Sequence, residues 1–160
     1  MPRTYSTCAV ALAAIVAVST LAACRSTEAT DQTDAALKAD PRLIGHFEDD
    51  YGAHYTISES LWQVHPGGLY HVDYWDNEDL FVIVQNDENN GANPNMWTRV
   101  DWAILDEEQA PWEWGFCLTV YDAPSSTAAA SAVPALRDTL LTGCNGFPFT
   151  RMKRIEEEDL

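Results

Sequence analysis

Residues 96–121 have the sequence MWTRVDWAILDEEQAPWEWGFCLTVY, which predicts two aromatic strands joined by an acidic turn at 106–111. In the second strand, the apolar side chains that share one face are Trp112, Trp114, Phe116, Leu118 and Val120. The first strand alternates in the same way, and Trp102 lies on its apolar face. A period of two is typical of half-buried strands. We therefore expect a hairpin whose three tryptophans, at 102, 112 and 114, meet in one core, because large aromatic side chains dominate core packing.

Residues 1–23 have the features of a bacterial export signal. Arg3 is the only charged residue before an apolar run that is too short to span a bilayer as a mature helix. The run ends in LAAC at 21–24, which resembles the lipobox of bacterial lipoproteins. The resemblance implies cleavage before Cys24 and attachment of lipid to that residue. An ordinary secretory signal with a chance cysteine at the cleavage site is the alternative.

The same resemblance also bears on the cellular location of the protein. Arg25 follows the lipid-bearing cysteine, whereas the inner-membrane retention signal of these lipoproteins is usually an aspartate at that place. The resemblance therefore implies the outer membrane, on its periplasmic or surface face. Two or three acyl chains give stable anchoring, which one chain does not. We expect 24–42 to be the lipidated cysteine with a flexible polar tether, and 43–160 to be a single, monomeric domain.

The strongly acidic charge of the chain disfavours some classes of binding partner. The sequence has 25 acidic and 9 basic residues, with a formal net charge of −16 at pH 7. Nucleic acids and anionic lipid head groups repel such a chain. We therefore expect a membrane partner through the lipid anchor alone, no nucleic acid, and either an envelope protein or a small ligand as the bound partner.

The four cysteines predict one disulfide. Cys8 is removed with the leader, and the lipobox resemblance assigns Cys24 to lipid. Cys117 and Cys144 are left as a pair in an oxidising compartment, where disulfides form and persist.

The folded part is predicted to be all-β. Turn residues separate short strands, which we place at 43–47, 54–58, 61–65, 69–75, 80–85, 96–104, 112–121 and 147–155. A short helix is expected between the last two strands, from about 125 to 133. About eight antiparallel strands in an up-and-down meander close most simply into a small barrel, with a β-sandwich as the alternative. The layout resembles the lipocalin and calycin barrels.

The sequence also predicts how the disulfide is used. Cys117 lies on the face opposite the aromatic row and should therefore point outward. Its bridge to Cys144 would hold residues 123–143 against the outside of the wall. That segment would cover the strand at 80–84, which is apolar on both faces.

Two groups of residues could form a binding site. Trp97, Arg99 and Asp101 share the face opposite the core row, so they could form an aromatic platform with a polar pair, or a surface ion pair beside a packed tryptophan. The second group could hold zinc or could be ordinary surface residues, and its members are His46, His54, His71 and Asp73.

The motifs of common catalytic sites do not occur in the sequence, so we expect neither an enzyme nor a cofactor. The predicted function is non-catalytic binding or interaction by an anchored barrel domain. Two alternatives stay open, a carrier of a small apolar ligand and a zinc-handling lipoprotein. The inward tryptophans favour a barrel that is filled by its own side chains.

Overall fold

A computed structural model describes residues 38–159 of the chain. Its eight strands are β1 Gly45–Asp49, β2 His54–Ile57, β3 Leu61–His65, β4 Leu69–Asp76, β5 Phe81–Asn86, β6 Trp97–Ile104, β7 Trp114–Ala123 and β8 Thr150–Arg154. Each strand pairs antiparallel with the next, and β8 pairs with β1 to close a barrel. One helix, α1 (Ser126–Ala130), lies between β7 and β8. The all-β meander, the barrel and the single short helix are thus confirmed, and the sandwich is excluded.

Short 3₁₀ helices complete the description, at Pro41–Leu43, Glu107–Gln109, Arg137–Thr139 and Glu157–Asp159. The signal at 1–23, the lipidation of Cys24 and most of the tether lie outside the described residues. None of the helices in residues 38–159 is long and apolar enough to cross a membrane.

One end of the barrel interior is solid, and we call it the filled end. Five large side chains of this end are exposed by 1 % or less, and these are Leu43, Phe47, Trp75, Trp102 and Trp114. The chain enters the body at this end, since Asn77 Nδ2 donates to Lys38 O at 2.7 Å and Ala39 is buried in the same cluster. Residues before Leu43, the predicted first residue of the domain, thus already pack against the body.

The interior contains Trp102 and Trp114 as expected, but Trp112 lies outside it. The backbone N–H of Trp112 donates to Gln109 O at 3.0 Å, so this residue still belongs to the turn that precedes β7. Its ring lies 5.1 Å from the Arg151 guanidinium on the outer surface. The predicted strand therefore starts two residues before β7 does. The alternation of apolar and polar residues continues through the turn, whereas the extended backbone begins only at Trp114.

Val120 also differs from its predicted face. The pairing of β6 with β7 slips between Arg99↔Val120 and Val100↔Leu118, so two residues of β7 stand opposite a single step of β6. An extra residue in one strand reverses the inward and outward alternation beyond it. Val120 therefore packs on the outer face, beside Phe81.

Residues 124–149, which we call the strap, run across the outside of the wall. The disulfide between Cys117 and Cys144 is present and ties the strap to β7, as predicted. Ser125 caps α1, because its side chain accepts the N–H of Ala128 at 3.2 Å. Ala129 of α1 is fully buried against Phe81 and Ile83, so the strap covers the outer face of β5.

Candidate functional site

The other end of the interior, which we call the hollow end, contains a cavity of about 190 Å³. Six strands contribute its lining, from β2 to β7. The lining residues are Tyr55, Trp62, Val64, Tyr70, Val84, Thr98, Val100, Phe116 and Leu118. None of these side chains is charged at neutral pH, and most of the lining is apolar. The cavity therefore suits a small, uncharged guest.

Three aromatic rings pack edge to face along the cavity wall. The ring centroids of Tyr55 and Phe116 are 5.9 Å apart, and those of Trp62 and Phe116 are 5.4 Å apart. Trp62 also stacks edge to face on Trp114 at 5.8 Å, which joins the cavity wall to the filled end. Such contacts stabilise a fixed ring arrangement beyond the area that they bury. Contacts within the protein therefore fix the ring arrangement of the wall.

A buried carboxylate lies directly behind Tyr55. The Tyr55 hydroxyl donates to Asp49 Oδ2 at 2.8 Å, and Asp49 Oδ1 accepts the backbone N–H groups of Tyr51 and Ala53 at 2.9 and 2.8 Å. Asp49 is only 4 % exposed. Burial, together with this carboxylate, raises the pKa of the Tyr55 hydroxyl. The hydroxyl is thus held neutral, with its proton directed away from the cavity.

Thr98 is tied in a similar way. Its hydroxyl donates to Asn86 Oδ1 at 2.7 Å, and the Asn86 amide nitrogen donates to the carbonyls of Asn93 and Tyr121 at 2.9 and 3.1 Å. These bonds fasten the β5–β6 loop to the end of β7 beside the cavity. Thr98 therefore presents no spare proton to a guest, although its oxygen keeps accepting capacity.

Tyr70 differs from the other two hydroxyl residues of the lining. Its hydroxyl makes no hydrogen bond with any of the residues that the structure describes. Burial raises the pKa of this hydroxyl, so it stays protonated at neutral pH. The ring lies against Gly68, where a Cβ would be 3.0 Å from Tyr70 Cε2. Tyr70, whose side chain lines the cavity, thus keeps both a donor and an acceptor that no described residue occupies.

The residues predicted as an aromatic platform lie beneath the strap. Arg99 and Asp101 are 3 % and 0 % exposed. Two guanidinium nitrogens of Arg99 donate to the two Asp101 oxygens, both at 3.0 Å, and its Nη1 donates to Ala130 O at 2.7 Å. Trp97 packs in the cluster that α1 covers. The Arg99–Asp101 pair is therefore inaccessible and connects β6 to the strap, whereas Trp97 is partly buried.

Arg137 extends this network from the strap to the filled end. Its Nη2 donates to Asp101 Oδ1 and to Leu80 O, each at 2.8 Å, and its Nε donates to Trp102 O at 2.9 Å. Thr119 donates its hydroxyl to Asp101 Oδ2 at 2.7 Å. Asp101 therefore receives four hydrogen bonds, which is what a buried carboxylate requires.

The predicted zinc residues are divided between separate places. His46 Nδ1 lies 3.2 Å from Thr56 Oγ1, which also lies 2.9 Å from His65 Nε2, on the outer face of β1–β3. His54 Nε2 lies 3.9 Å from a Glu48 carboxylate oxygen. In residues 38–159, no three or more His, Cys, Asp or Glu side chains are grouped so that they could hold a metal ion.

The other two candidates lie on β4. His71 Nε2 pairs with Asp87 Oδ2 at 2.8 Å. The pKa of Asp87 is lowered, chiefly by the backbone N–H of Asn89 and then by His71. Asp73 is exposed at the irregularity in β4 between Val72 and Tyr74. His71 and Asp73 are thus exposed surface residues of β4.

Sequence reasoning assigned Phe116 and Leu118 to the apolar face of their strand but did not identify the cavity that they line. The signal was present, because Tyr55 alternates with His54 and Thr56, and Trp62 alternates with its neighbours in β3. Alternation shows which side chains point inward, but not whether they meet at the centre. That second property depends on barrel closure and on ring orientation.

No protein-family model, curated protein or solved structure matches this chain.

Proposed function

We propose that this protein is an envelope lipoprotein that binds one small apolar molecule, without catalysis, in the hollow end of its barrel. The observation that carries the proposal is the cavity of about 190 Å³ with its uncharged lining. For comparison, an engineered cavity of about 150 Å³ lined by apolar side chains holds benzene. A ring with one or two further heavy atoms is thus the size of guest that fits.

The chemistry of the lining favours binding over reaction. Its titratable groups are two tyrosines, Tyr55 and Tyr70, whose pKa values are both raised by burial. A general base must accept a proton near the working pH, and a nucleophile needs such a base beside it. Neither role suits a hydroxyl that is held neutral.

Anchoring through Cys24 agrees with where the chain enters the body. Residues 38–43 lie at the filled end, away from the cavity. Alkyne-labelled palmitate should enter the wild-type protein and not the Cys24→Ala variant, and the label should fractionate with the outer membrane. Equal labelling of both proteins would refute the lipid site.

Thermal melting of the purified protein with toluene, zinc or calcium tests the binding proposal. A ligand that binds only the folded state stabilises it, by about 2.7 kcal/mol at one hundred times its Kd. We expect toluene to raise Tm in the wild-type protein. Val84→Phe, which places a ring in the cavity, should abolish the effect. The control Val133→Phe adds the same ring at a site that is 83 % exposed and should keep it.

A protein partner is the second candidate. The strap exposes several large apolar side chains, by 66–83 %, and these are Val133, Leu136, Leu141 and Phe147. Contiguous exposed apolar patches are typical of interaction surfaces, and these four side chains lie on one segment of the chain. This candidate would take first place if no apolar compound raised Tm, and a rise with zinc alone would favour metal handling.

A further inference from the structure

We infer that the cavity selects an uncharged ring that carries a hydroxyl group, such as a simple phenol, and that the Tyr70 hydroxyl is the group that recognises it. This inference rests on the proposed function, since it names the class of ligand for the same cavity. It comes from the way in which the three hydroxyl groups of the lining are bonded.

Two of the three hydroxyls have already committed their protons. Tyr55 donates to Asp49 Oδ2 at 2.8 Å, and Thr98 donates to Asn86 Oδ1 at 2.7 Å. Both partners are themselves buried, at 4 % and 3 % exposure. A hydroxyl whose proton is engaged still has an oxygen that can accept. The lining thus offers acceptors at these two positions.

Tyr70 supplies the remaining donor. Within residues 38–159 its hydroxyl has no hydrogen-bond partner, although the side chain lines the cavity. The Tyr70 side chain is half-buried, and a guest with a hydroxyl group can donate to its hydroxyl or accept from it. A plain hydrocarbon of the same shape cannot.

The electrostatics of the cavity disfavour ligands that carry a carboxylate in place of the hydroxyl group. The lining has no cationic side chain, and the Asp49 carboxylate lies one hydroxyl group behind the cavity wall. A carboxylate that leaves water without a cationic partner is strongly disfavoured, and a nearby negative charge adds to this penalty. The cavity should therefore reject aromatic acids and fatty acids.

The test is a calorimetric titration of the purified protein with three ligands of similar shape, namely toluene, p-cresol and p-toluate. Wild-type protein should bind p-cresol about five- to tenfold more tightly than toluene, which is the effect of one hydrogen bond. p-Toluate should bind at least a hundredfold more weakly than p-cresol. In the Tyr70→Phe variant, p-cresol should fall to the toluene level, while toluene stays within twofold.

Tyr121→Phe is the matched control, because it removes a hydroxyl from a side chain that is 54 % exposed and outside the cavity. It should leave all three affinities unchanged. If toluene binds but Tyr70→Phe does not change the ratio of p-cresol to toluene, the inference fails and the proposed function stands. Binding of p-toluate at the strength of p-cresol overturns the inference as well. If neither toluene nor p-cresol binds, both proposals fail.

Discussion

The two ends of the barrel interior are built from the same strands, yet they are packed in opposite ways. At the filled end, the side chains of Trp75, Trp102 and Trp114 are exposed by 1 % or less. At the hollow end, smaller side chains such as Val84 and Val100 stand opposite aromatic rings and leave about 190 Å³ between them. Ring number alone does not determine filling, since both ends contain aromatic side chains.

The polar groups of the two ends also differ. The indole N–H groups of Trp102 and Trp114 have no acceptor among the described residues, while Trp75 Nε1 donates to Glu59 O at 3.0 Å. An unpaired buried donor costs about 1–3 kcal/mol. At the hollow end, the hydroxyls of Tyr55 and Thr98 are both paired, and that of Tyr70 has no partner among the described residues. The filled end thus has fully buried donors without an acceptor, whereas the two most buried hydroxyls of the hollow end are hydrogen-bonded.

The largest effect is expected from removing a ring at the filled end. Trp114→Ala should lower the free energy of unfolding by about 3–5 kcal/mol, because the side chain is fully buried and its surroundings cannot collapse fully. Urea unfolding followed by circular dichroism measures this. A loss below about 1 kcal/mol would mean that the filled end is not the stable half of the barrel.

Opening the disulfide should separate stability from binding. Cys117 and Cys144 are 27 residues apart, and a loop of that length contributes about 3–4 kcal/mol in the chain-entropy model. The double variant Cys117→Ser, Cys144→Ser should therefore unfold at a lower urea concentration. Its affinity for toluene should stay within twofold of wild type at a temperature where both proteins are folded, because the strap lies outside the wall. A tenfold loss of affinity would place the strap at the site.

The same substitution at two valines of β5 allows the packing of the two ends to be compared. Val82 and Val84 are 0 % and 1 % exposed, but only Val84 borders the cavity. Val82→Ala should cost about 2–3 kcal/mol and Val84→Ala about 1–2 kcal/mol, since Val84 has fewer neighbours to lose. The difference between their urea midpoints is the measurement. Equal losses would indicate that the hollow end is as tightly packed as the filled end.

The smallest effect concerns alkaline pH. Burial raises the pKa of the Tyr55 hydroxyl on folding, so its contribution to stability is fully present below the unfolded value of 10.0 and is lost as pH rises above it. The loss for one such group is about 1.4 kcal/mol per pH unit. Above pH 10, unfolding free energies of Tyr55→Phe should fall less steeply than those of wild type by that amount. Parallel slopes would contradict the burial of this hydroxyl.

Much of the fold could be predicted from the sequence, because turn residues separate the strands and alternation assigns their faces. The outward position of Cys117 followed from its phase relative to Trp114 and Phe116, and the disulfide followed from cysteine number. The face of Val120, by contrast, could not be predicted. A bulge shifts the phase at Val120, and nothing in the residue types marks the extra residue.

The candidate site was beyond such reasoning for a related reason. Arg99 and Asp101 alternate as surface residues do, and only the path of the strap buries them. The cavity depends on how rings from six strands orient around a closed barrel. That is a property of non-local packing, which a residue pattern along one strand does not contain.

The most direct test of a solid end and a hollow end is a methyl NMR titration with toluene. Signals of Val64, Val84, Val100 and Leu118 should shift and saturate together, while those of Leu43 and Val82 should stay within a small fraction of that change. This result would place the guest in the hollow end. Shifts confined to the exposed strap residues Val133, Leu136 and Leu141, or no shift at toluene saturation, would contradict the account.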